Sequence, residues 1–477
     1  MRIFDTSVQL LKYNVLREIA KKAWNDRLLE EVLDIPQIIV PGKKPTMRCC
    51  VYKERAICAE RIKIAMNLDT RSDRIITPLE IACDECPSDG YYVTESCRGC
   101  LAHHCIDVCK RKAISYSHGR GAYIDSSLCI NCGQCAKVCP FSAIVNRKRP
   151  CQNACKLNAI STAEDGCAQI DYSKCTGCGA CVYQCPFGAI VDKSYILYVI
   201  RMLKEKQQNS GSRICAVLAP SISTQFTYAR LGQVVSGLRT LGFDMVVEAA
   251  HGADIVAQQE SRELAEKGFL VSSCCPAFVR LVRESFPELA PHISGSLSPM
   301  AAISKHIKEK FPGTKTVFIG PCTAKKEEIQ LETVKPYVDS VLTFEELQAL
   351  FDGLEIDISS LSESPMDDMA SYFGRIFARC GGLAEAVVEA LKEQGITDFE
   401  VKPISCDGIE ECKAALTRKK YNRLDANFIE GMACIGGCIG GPGCLTHEAQ
   451  SRQLVEKFGH NAGDLSISES LQNLPEK

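Results

Sequence analysis

The chain has 477 residues, with 56 Lys and Arg against 58 Asp and Glu, so its formal net charge is −2 at pH 7. This balance disfavours a nucleic-acid-binding protein, which needs clustered basic residues. The 30 cysteines are unusual, because 15 of them lie between residues 97 and 185. The sequence start shows no apolar leader, and the apolar runs are far shorter than the ~20 residues that span a bilayer. We therefore expect a cytoplasmic protein without a membrane segment, in which clustered thiols bind metal rather than form disulfides.

Residues 1–82 are the first predicted unit, a helical N-terminal region of unknown role. Val8, Leu11, Val15 and Ile19 recur at spacings of three and four residues, which is typical of one apolar stripe on an amphipathic helix. The cysteines of this region lack a recognisable ligand spacing, so we expect them to be small buried hydrophobic residues.

An internal repeat follows at residues 83–190. A C-x3-C unit is followed four times, after three intervening residues, by Ala-Ile, and the last cysteines of the units are spaced by 30, 16 and 30 residues. This spacing predicts two modules of two half-repeats each. The units are Cys105/Cys109 with Ala113-Ile114, Cys135/Cys139 with Ala143-Ile144, Cys151/Cys155 with Ala159-Ile160, and Cys181/Cys185 with Ala189-Ile190.

The cysteine spacing in these modules indicates iron–sulfur chemistry. The runs that begin at Cys129 and Cys175 read C-x2-C-x2-C-x3-C-P, the bacterial ferredoxin pattern, in which three thiolates bind one cubane and the fourth binds the neighbouring cluster. A zinc ribbon is the alternative, but it would show two separated C-x2-C pairs. We therefore predict ferredoxin-like 4Fe–4S modules over residues 83–195.

We assign the fourth cysteine of each run to the cluster of the neighbouring half-repeat. This assignment predicts three accessory clusters. The run that begins at Cys97 is the same pattern with a two-residue insertion. The predicted ligand sets are Cys97, Cys100, Cys105 and Cys139; Cys109, Cys129, Cys132 and Cys135; and Cys155, Cys175, Cys178 and Cys181.

The remaining cysteines predict a fourth accessory cluster. Cys151 and Cys185 are two ligands short of a cubane, and Cys83-x2-Cys86 is the only unassigned C-x2-C pair nearby. The alternative is that Cys151 and Cys185 are free thiols and that Cys83 and Cys86 are structural. We favour the cluster, because unpaired thiols beside iron–sulfur sites are reactive.

Beyond the modules the pattern changes to α/β. The polar stretch 204–212 indicates a linker, predicted over residues 196–212. Apolar runs alternate with amphipathic segments over residues 213–450, and residues 451–477 are predicted to be a polar C-terminal tail. The predicted strands are 214–218, 245–247, 269–271, 316–319, 338–342 and 427–429, and the predicted helices include 261–267, 278–286 and 384–394.

Three predicted strands of this domain run into cysteine motifs. They are followed by Cys274-Cys275, Cys322 and Cys434-x3-Cys438. In α/β sheets, sites assemble beyond the carboxyl ends of strands, so these thiolates can converge on one metal centre. Core packing explains one buried cysteine, but it does not explain three such strand ends.

At these residues the sequence resembles the FeFe hydrogenases, over roughly residues 83–445. The resemblance implies an α/β catalytic domain with parallel-type sheets flanked by helices and the cluster between its lobes, preceded by a small α+β double module of bacterial ferredoxin type. It implies reversible reduction of protons to dihydrogen at an H-cluster, with electrons relayed by the 4Fe–4S clusters. The H-cluster joins a cubane to a two-iron subcluster that carries CO, cyanide and an azadithiolate.

The resemblance also implies roles for individual residues. Cys275, Cys322, Cys434 and Cys438 would hold the cubane, and Cys438 would bridge to the two-iron subcluster. Cys274 would deliver protons. Lys325 would bind a cyanide, Met432 would pack against the diiron site, Ser294 would be the relay serine, and the relay carboxylates would fall at His251 and Asp254.

Two departures from the common motifs favour the group B branch of this family over group A. Gly320 stands where Met usually precedes Pro-Cys, and the segment 440–444 reads Gly-Gly-Pro-Gly-Cys instead of Gly-Gly-Gly-Gln-Pro. We expect the outer proton route to differ accordingly.

Two other functions are consistent with the same resemblance. Non-catalytic relatives act in cytosolic iron–sulfur assembly, but they tend to lose the thiol and the amine that Cys274 and Lys325 provide here. Hydrogen sensors usually carry an added signalling domain, for which we expect no room after residue 445. The expected partners are ferredoxin or flavodoxin and the diiron maturation enzymes, with no nucleic acid and no membrane.

Overall fold

The computed structural model describes residues 4–68, 74–87, 89–117, 121–208 and 211–473. The N-terminal region is helical, as predicted. Thr6 and Gln9 form a capping box that starts the first helix, and Val15, Leu16 and Ile19 bury its apolar face in the core of the α/β domain. The helices of the region are Ser7–Trp24, Leu28–Glu31, Ile35–Ile39 and Val51–Ala65.

The two cysteine-rich modules repeat one local structure. In each half-repeat the backbone N–H of the alanine donates to the sulfur of the last cysteine, at 3.2–3.4 Å. The Ala-Ile pairs are therefore the points where a strand leaves its cysteine loop. The strands are Gly90–Val93, Ile114–Ser117, Gly121–Ile124, Ile144–Arg147, Ile160–Thr162, Ala168–Ile170 and Ile190–Asp192, and the helices are Glu80–Cys83, His104–Asp107, Gln134–Val138, Pro150–Ala154 and Ala180–Gln184.

The boundary between the first two predicted units lies earlier than residue 82. Strand Ile76–Pro78 pairs antiparallel with Ile190–Asp192, the last strand of the second module. This pairing joins residues about 114 positions apart through main-chain hydrogen bonds, which no local pattern reveals. Residues 76–82 therefore belong structurally to the modules.

The predicted linker is wrong for most of its length. Residues 196–208 form helix Ile196–Gln208, which buries Val199, Ile200 and Leu203 in the main core. Polar residues crowd its last turns because that end faces solvent, and this made the segment resemble a linker. Residues 209–210 lie outside the described residues.

The α/β domain contains two parallel sheets. One has the strand order Met245–Glu248, Ile214–Leu218, Lys315–Ile319, Ser340–Leu342, and the other Leu270–Val271, Phe428–Met432, Pro403–Asp407. Strand Pro403–Asp407 was not predicted, because it is a half-exposed edge strand without an apolar run. The helices are Leu231–Leu241, Ala249–Lys267, Pro276–Ser285, Pro299–Lys310, Ala324–Glu328, Phe344–Gly353, Tyr372–Ile376, Gly382–Glu393 and Ile409–Lys420, with 3-10 turns at Pro220–Thr224, Pro287–His292, Ile358–Ser360 and Cys438–Gly440. The predicted fold class is confirmed.

The C-terminal segment is folded, which corrects the prediction of a polar tail. Helices Ser451–His460 and Ile467–Gln472 pack on the α/β domain through Val455 and Ile467. Residues 474–477 lie outside the described residues. In the described part of the chain, no helix combines the length and the apolar character needed to cross a bilayer.

Candidate functional site

Four cysteines meet between the two sheets. Cys275 and Cys434 follow strands of the three-stranded sheet, whereas Cys322 follows Lys315–Ile319 of the four-stranded sheet. Cys322 and Cys434 each lie close enough to Cys275 and Cys438 for their charges to interact. Parallel strands end at the same edge of a sheet, which is why sequence-distant thiols converge here.

A tight glycine turn carries the fourth thiol. Gly436 and Gly437 both have positive φ, and a Cβ on Gly437 would lie only 2.7 Å from the backbone nitrogen of Cys380. Only glycine accommodates this approach. The turn brings Cys438 back toward the other three cysteines.

The donor set fits an iron–sulfur cubane. Burial raises the pKa of Cys322 to about 12 and that of Cys438 to about 11, so these groups are neutral thiols near pH 7 unless a cation stabilises their thiolates. The iron of a cluster provides that charge. Cys275, Cys322, Cys434 and Cys438 would hold such a cluster.

Cys274 is a separate buried thiol beside this set. It is 8% exposed, lies within electrostatic range of Cys438, and packs in an apolar cluster with Met432. Burial, with Glu260 and other nearby acidic groups, raises the pKa of Cys274 well above its ordinary value. The structure therefore brings the predicted proton-carrying thiol and the predicted methionine to one side of the cubane site.

Lys325 is buried rather than solvated. Its ammonium group pairs with Glu328 at 2.6 Å and donates to the carbonyl of Cys274 at 3.4 Å. Glu328 and the neighbouring thiols keep the pKa of Lys325 above its ordinary value in spite of burial. A charged donor thus lies next to Cys274, three residues after Cys322.

Two glutamates missed by the sequence analysis lie between Ser273, the neighbour of Cys274, and the surface. Glu260 accepts from the backbone N–H and the hydroxyl of Ser273, each at 3.1 Å. Ser294 interacts with Glu260 and donates to Glu263 at 3.0 Å, and Glu263 pairs with the exposed Lys267 at 2.6 Å. Burial raises the pKa of Glu260 to about 7. The three-residue spacing that puts both glutamates on one helix face was the sequence signal by which this pair could have been found.

Asp254 and His251, the residues predicted for the relay, have other partners than this chain of contacts. Asp254 accepts from the hydroxyls of Ser371 and Ser470, both at 2.6 Å, and His251 pairs with Asp368 at 2.6 Å. Both lie on helix Ala249–Lys267, but nearer its start than Glu260.

The structure brings together the predicted ligands of three accessory clusters. The Cys97, Cys100, Cys105, Cys139 set lines one cavity, and the Cys155, Cys175, Cys178, Cys181 set lines another. In the remaining set, Cys135 lies near Cys129 and Cys109, with Cys132 exposed on the same loop. Within the described residues, no three His, Cys, Asp or Glu side chains are close enough to bind one metal ion together.

The four leftover cysteines also converge. Cys151 interacts electrostatically with Cys185, Cys86 and Cys83, and burial raises its pKa to about 12. Cys83 accepts from the backbone N–H of Ala168 at 3.3 Å. A fourth donor set of the same composition therefore exists.

Comparison with known proteins finds similarity in two parts of the chain. Residues 212–442 match the family described as iron only hydrogenase large subunit, C-terminal domain, and residues 122–145 and 168–191 match the 4Fe-4S binding domain. The chain is an FeFe-hydrogenase-like protein. Its 4Fe–4S matches cover the two ferredoxin runs, so it is an iron–sulfur protein.

The relatives of this FeFe-hydrogenase-like chain include both enzymes and an assembly factor. Iron hydrogenase 1 of Clostridium pasteurianum is 30% identical over 258 residues, which are 44% of this chain and 45% of that protein. Cytosolic Fe-S cluster assembly factor NAR1 of Eremothecium gossypii is 27% identical over 298 residues, 48% of this chain and 66% of the factor. A solved variant of FeFe-hydrogenase HydA1 from Chlamydomonas reinhardtii is 19% identical, with a TM-score of 0.46, and covers 58% of this chain and 91% of that chain. The chain thus spans about half the length of the curated hydrogenase it matches.

Gly320, the unusual residue of the second hydrogenase motif, has a structural reason. A Cβ at this position would lie 2.6 Å from the ring of Phe318 and 3.0 Å from the Cβ of Ala219. The ring of Phe318 therefore fills the space beside the chain that a larger residue 320 would need. A methionine here would require Phe318 to move.

Proposed function

We propose that this chain catalyses the reversible reduction of protons to dihydrogen at an H-cluster, with electrons relayed by 4Fe–4S clusters. The observation that carries this proposal is a series of polar contacts that begins next to Cys274. Ser273 donates to Glu260, Ser294 lies beside Glu260, and Ser294 donates to Glu263, which is closer to the surface. Electron transfer alone does not need a proton route, whereas proton reduction does.

The chain's own residues would bind the cofactor and move the proton. When bound, the H-cluster supplies the redox chemistry at iron. Cys275, Cys322, Cys434 and Cys438 would hold its cubane, and Lys325 would donate a charge-assisted hydrogen bond to a cyanide ligand. Cys274 would hold a proton at Sγ, and Glu260 would replace it, because a carboxyl group with a pKa of about 7 both takes and releases protons near neutral pH.

The accessory sets support an electron path into this site. Cys178 of the third set interacts with Cys175 and Cys155, and Cys434 interacts with Cys178. The third accessory cluster would therefore be adjacent to the H-cluster, with the other module farther out. We infer three accessory 4Fe–4S clusters and a fourth at Cys83, Cys86, Cys151 and Cys185. Ferredoxin or flavodoxin would be the partner in the cytoplasm, after insertion of the diiron subcluster by maturation enzymes.

An iron–sulfur assembly function is the second candidate, because an assembly factor is among the relatives. Such a function does not require Cys274 or a route from it to solvent. The buried Lys325–Glu328 pair and the glutamate series are therefore features that favour the enzyme.

Anaerobic coexpression of the full chain with the diiron maturation enzymes tests the proposal. We expect infrared bands of metal-bound CO and cyanide, together with dihydrogen evolution from a chemically reduced donor. Bands without turnover would favour a hydrogen sensor. Full cubane loading without these bands would favour the assembly function and would contradict the enzyme.

A further inference from the structure

Three buried arginines surround the fourth accessory set. The side chains of Arg48, Arg61 and Arg149 are each 6% exposed or less. Arg48 and Arg61 come from the N-terminal region, to which the sequence assigned no role. Buried arginine is rare unless an anion is near, so the three require an explanation.

Arg149 contacts a ligand cysteine directly. Its Nη1 donates to the sulfur of Cys83 at 3.8 Å, and its Nε donates to the carbonyl of Pro87 at 3.1 Å. The nearest carboxylate, that of Asp89, lies 3.9 Å from Nε. The guanidinium is therefore held against the cysteine set and only loosely neutralised.

Arg61 has no carboxylate partner among the described residues. It donates to the carbonyl of Gly188, three residues after Cys185, while its Nε has no hydrogen-bond acceptor. Burial lowers the pKa of Arg61 to about 10, and the thiols of Cys58 and Cys185 are the first groups that oppose this effect. A negatively charged cluster at the Cys185 set would be its missing partner.

Arg48 is the third arginine beside the fourth accessory set. It donates to the carbonyls of Ala82 and Phe187 and pairs with the partly exposed Glu85 at 2.9 Å. Its backbone is fixed, because the Glu54 carboxylate accepts the N–H groups of residues 46–48. The side chain of Arg48 is thus held in place by the fold of the N-terminal region.

The other accessory sets lack this environment. All described Lys and Arg residues between residues 94 and 148, around the first two sets, are exposed to solvent. Near the third set, Arg280 pairs with Glu327 at 2.9 Å, so the two charges cancel locally. At the fourth set, by contrast, Arg61 is buried without a carboxylate at ion-pair distance among the described residues, and the nearest carboxylate to the guanidinium of Arg149 lies at 3.9 Å.

We propose that Arg48 and Arg61 of the N-terminal region, together with Arg149 of the second module, cap the cluster of Cys83, Cys86, Cys151 and Cys185 and raise its reduction potential above those of the other accessory clusters. The inference rests on the proposed fourth cluster. Reduction adds one negative charge to a cluster, and nearby buried cations and N–H···S bonds stabilise that charge. One electron would pass from the third cluster, which would be oxidised, to the fourth, which would be reduced. No proton would be required, and the fourth cluster would serve as an electron store.

A redox titration of the iron-loaded full chain, followed by electron paramagnetic resonance, tests this inference. In Arg61→Gln and Arg149→Gln we expect the reduced-to-oxidised ratio of one cluster at fixed potential to fall at least tenfold, which is 59 mV for one electron. The other clusters should be unchanged. Lys63→Gln is the matched control, because Lys63 lies on the same helix and is exposed, and Arg61→Lys should restore most of the parental ratio.

Iron content separates the possible failures. If both glutamine variants keep the parental iron content and their cluster potentials are unchanged, the proposed cap is overturned. The proposed hydrogenase function is not affected by that result. A parent protein that lacks the four irons of this set would remove the fourth cluster and the cap together, again without bearing on turnover. If one glutamine variant loses the cluster, the redox titration of the other glutamine variant is the test. An unchanged reduced-to-oxidised ratio in that variant would overturn the proposal.

Discussion

Glu260 accepts two hydrogen bonds from Ser273, one from its backbone N–H and one from its hydroxyl, each 3.1 Å long. Ser273 is the residue before Cys274, so this carboxylate is tied to the strand end that carries the thiol. Helix Ala249–Lys267 also carries Glu263, one turn closer to the surface. A single helix therefore supplies both carboxylates of the proposed proton route.

Glu260→Gln should lower dihydrogen evolution by ~10²–10⁴-fold, because an amide cannot accept and release the proton. The infrared bands of the matured protein should remain. Asp254→Asn is the matched control, since Asp254 is another buried carboxyl group on the same helix with a raised pKa. If the Asp254 variant lost turnover and the Glu260 variant kept it, Asp254 rather than Glu260 would belong to the proton route.

Asp254 should instead affect stability in a pH-dependent way. Burial raises its pKa from 3.8 to about 6, although nearby His251 opposes this effect. An acid with a raised folded-state pKa contributes stability below about pH 4 that is lost as the pH rises through about 6. Between pH 5 and 7.5, Asp254→Asn should gain about 1.5 kcal/mol relative to the parent, measured as unfolding free energy in denaturant. A pH-independent difference would exclude this titration.

Cys274→Ala should retain the cluster spectra and lose ~10²–10⁴-fold in turnover, the effect of removing a general acid–base group. Cys274→Asp should recover part of the rate, because a carboxylate also carries a proton. Cys444→Ala is the control, as Cys444 is a fully buried thiol whose sulfur contacts the carbonyl of Cys438. Near-parental evolution by the matured Cys274→Ala protein would mean that the thiol is structural.

Lys325→Asn should impair retention of the two-iron subcluster while leaving cubane iron intact, because the charged donor to cyanide is lost. The CO and cyanide infrared bands should weaken or disappear. The double variant with Glu328→Gln removes the carboxylate that would otherwise be buried without its partner, and Lys335→Asn, at an exposed lysine, is the control. Parental bands in Lys325→Asn would contradict the proposed role.

Cys151→Ser tests the fourth accessory cluster through iron analysis. With five cubanes and a two-iron subcluster the parent should contain about 22 irons per chain, and the variant about 18. Cys167→Ser is an informative control, because Cys167 also lies near Cys83 but is absent from the predicted set. Equal iron in the Cys151 variant and the parent would refute the assignment.

The cysteine pattern alone predicted which accessory cysteines group together. In ferredoxin-type loops the ligand geometry is local, so the spacings within C-x2-C-x2-C-x3-C define which thiols can share a cubane. The strands at 214–218 and 316–319 were likewise visible, because fully buried parallel strands are continuous apolar runs. Strand-end cysteines then indicated one metal centre.

The proposed proton route and the proposed role of the N-terminal region rest on the tertiary structure alone. Glu260 contacts Ser273 thirteen positions away, and Arg61 contacts Gly188 across 127 positions, so no local period encodes either pairing. Strand Ile76–Pro78 joined the modules for the same reason. Side-chain type and helical spacing determine which face of a helix a residue occupies. Packing between distant segments determines which residues that face contacts. This packing gives Glu260 and Asp254, which lie on the same helix, different partners.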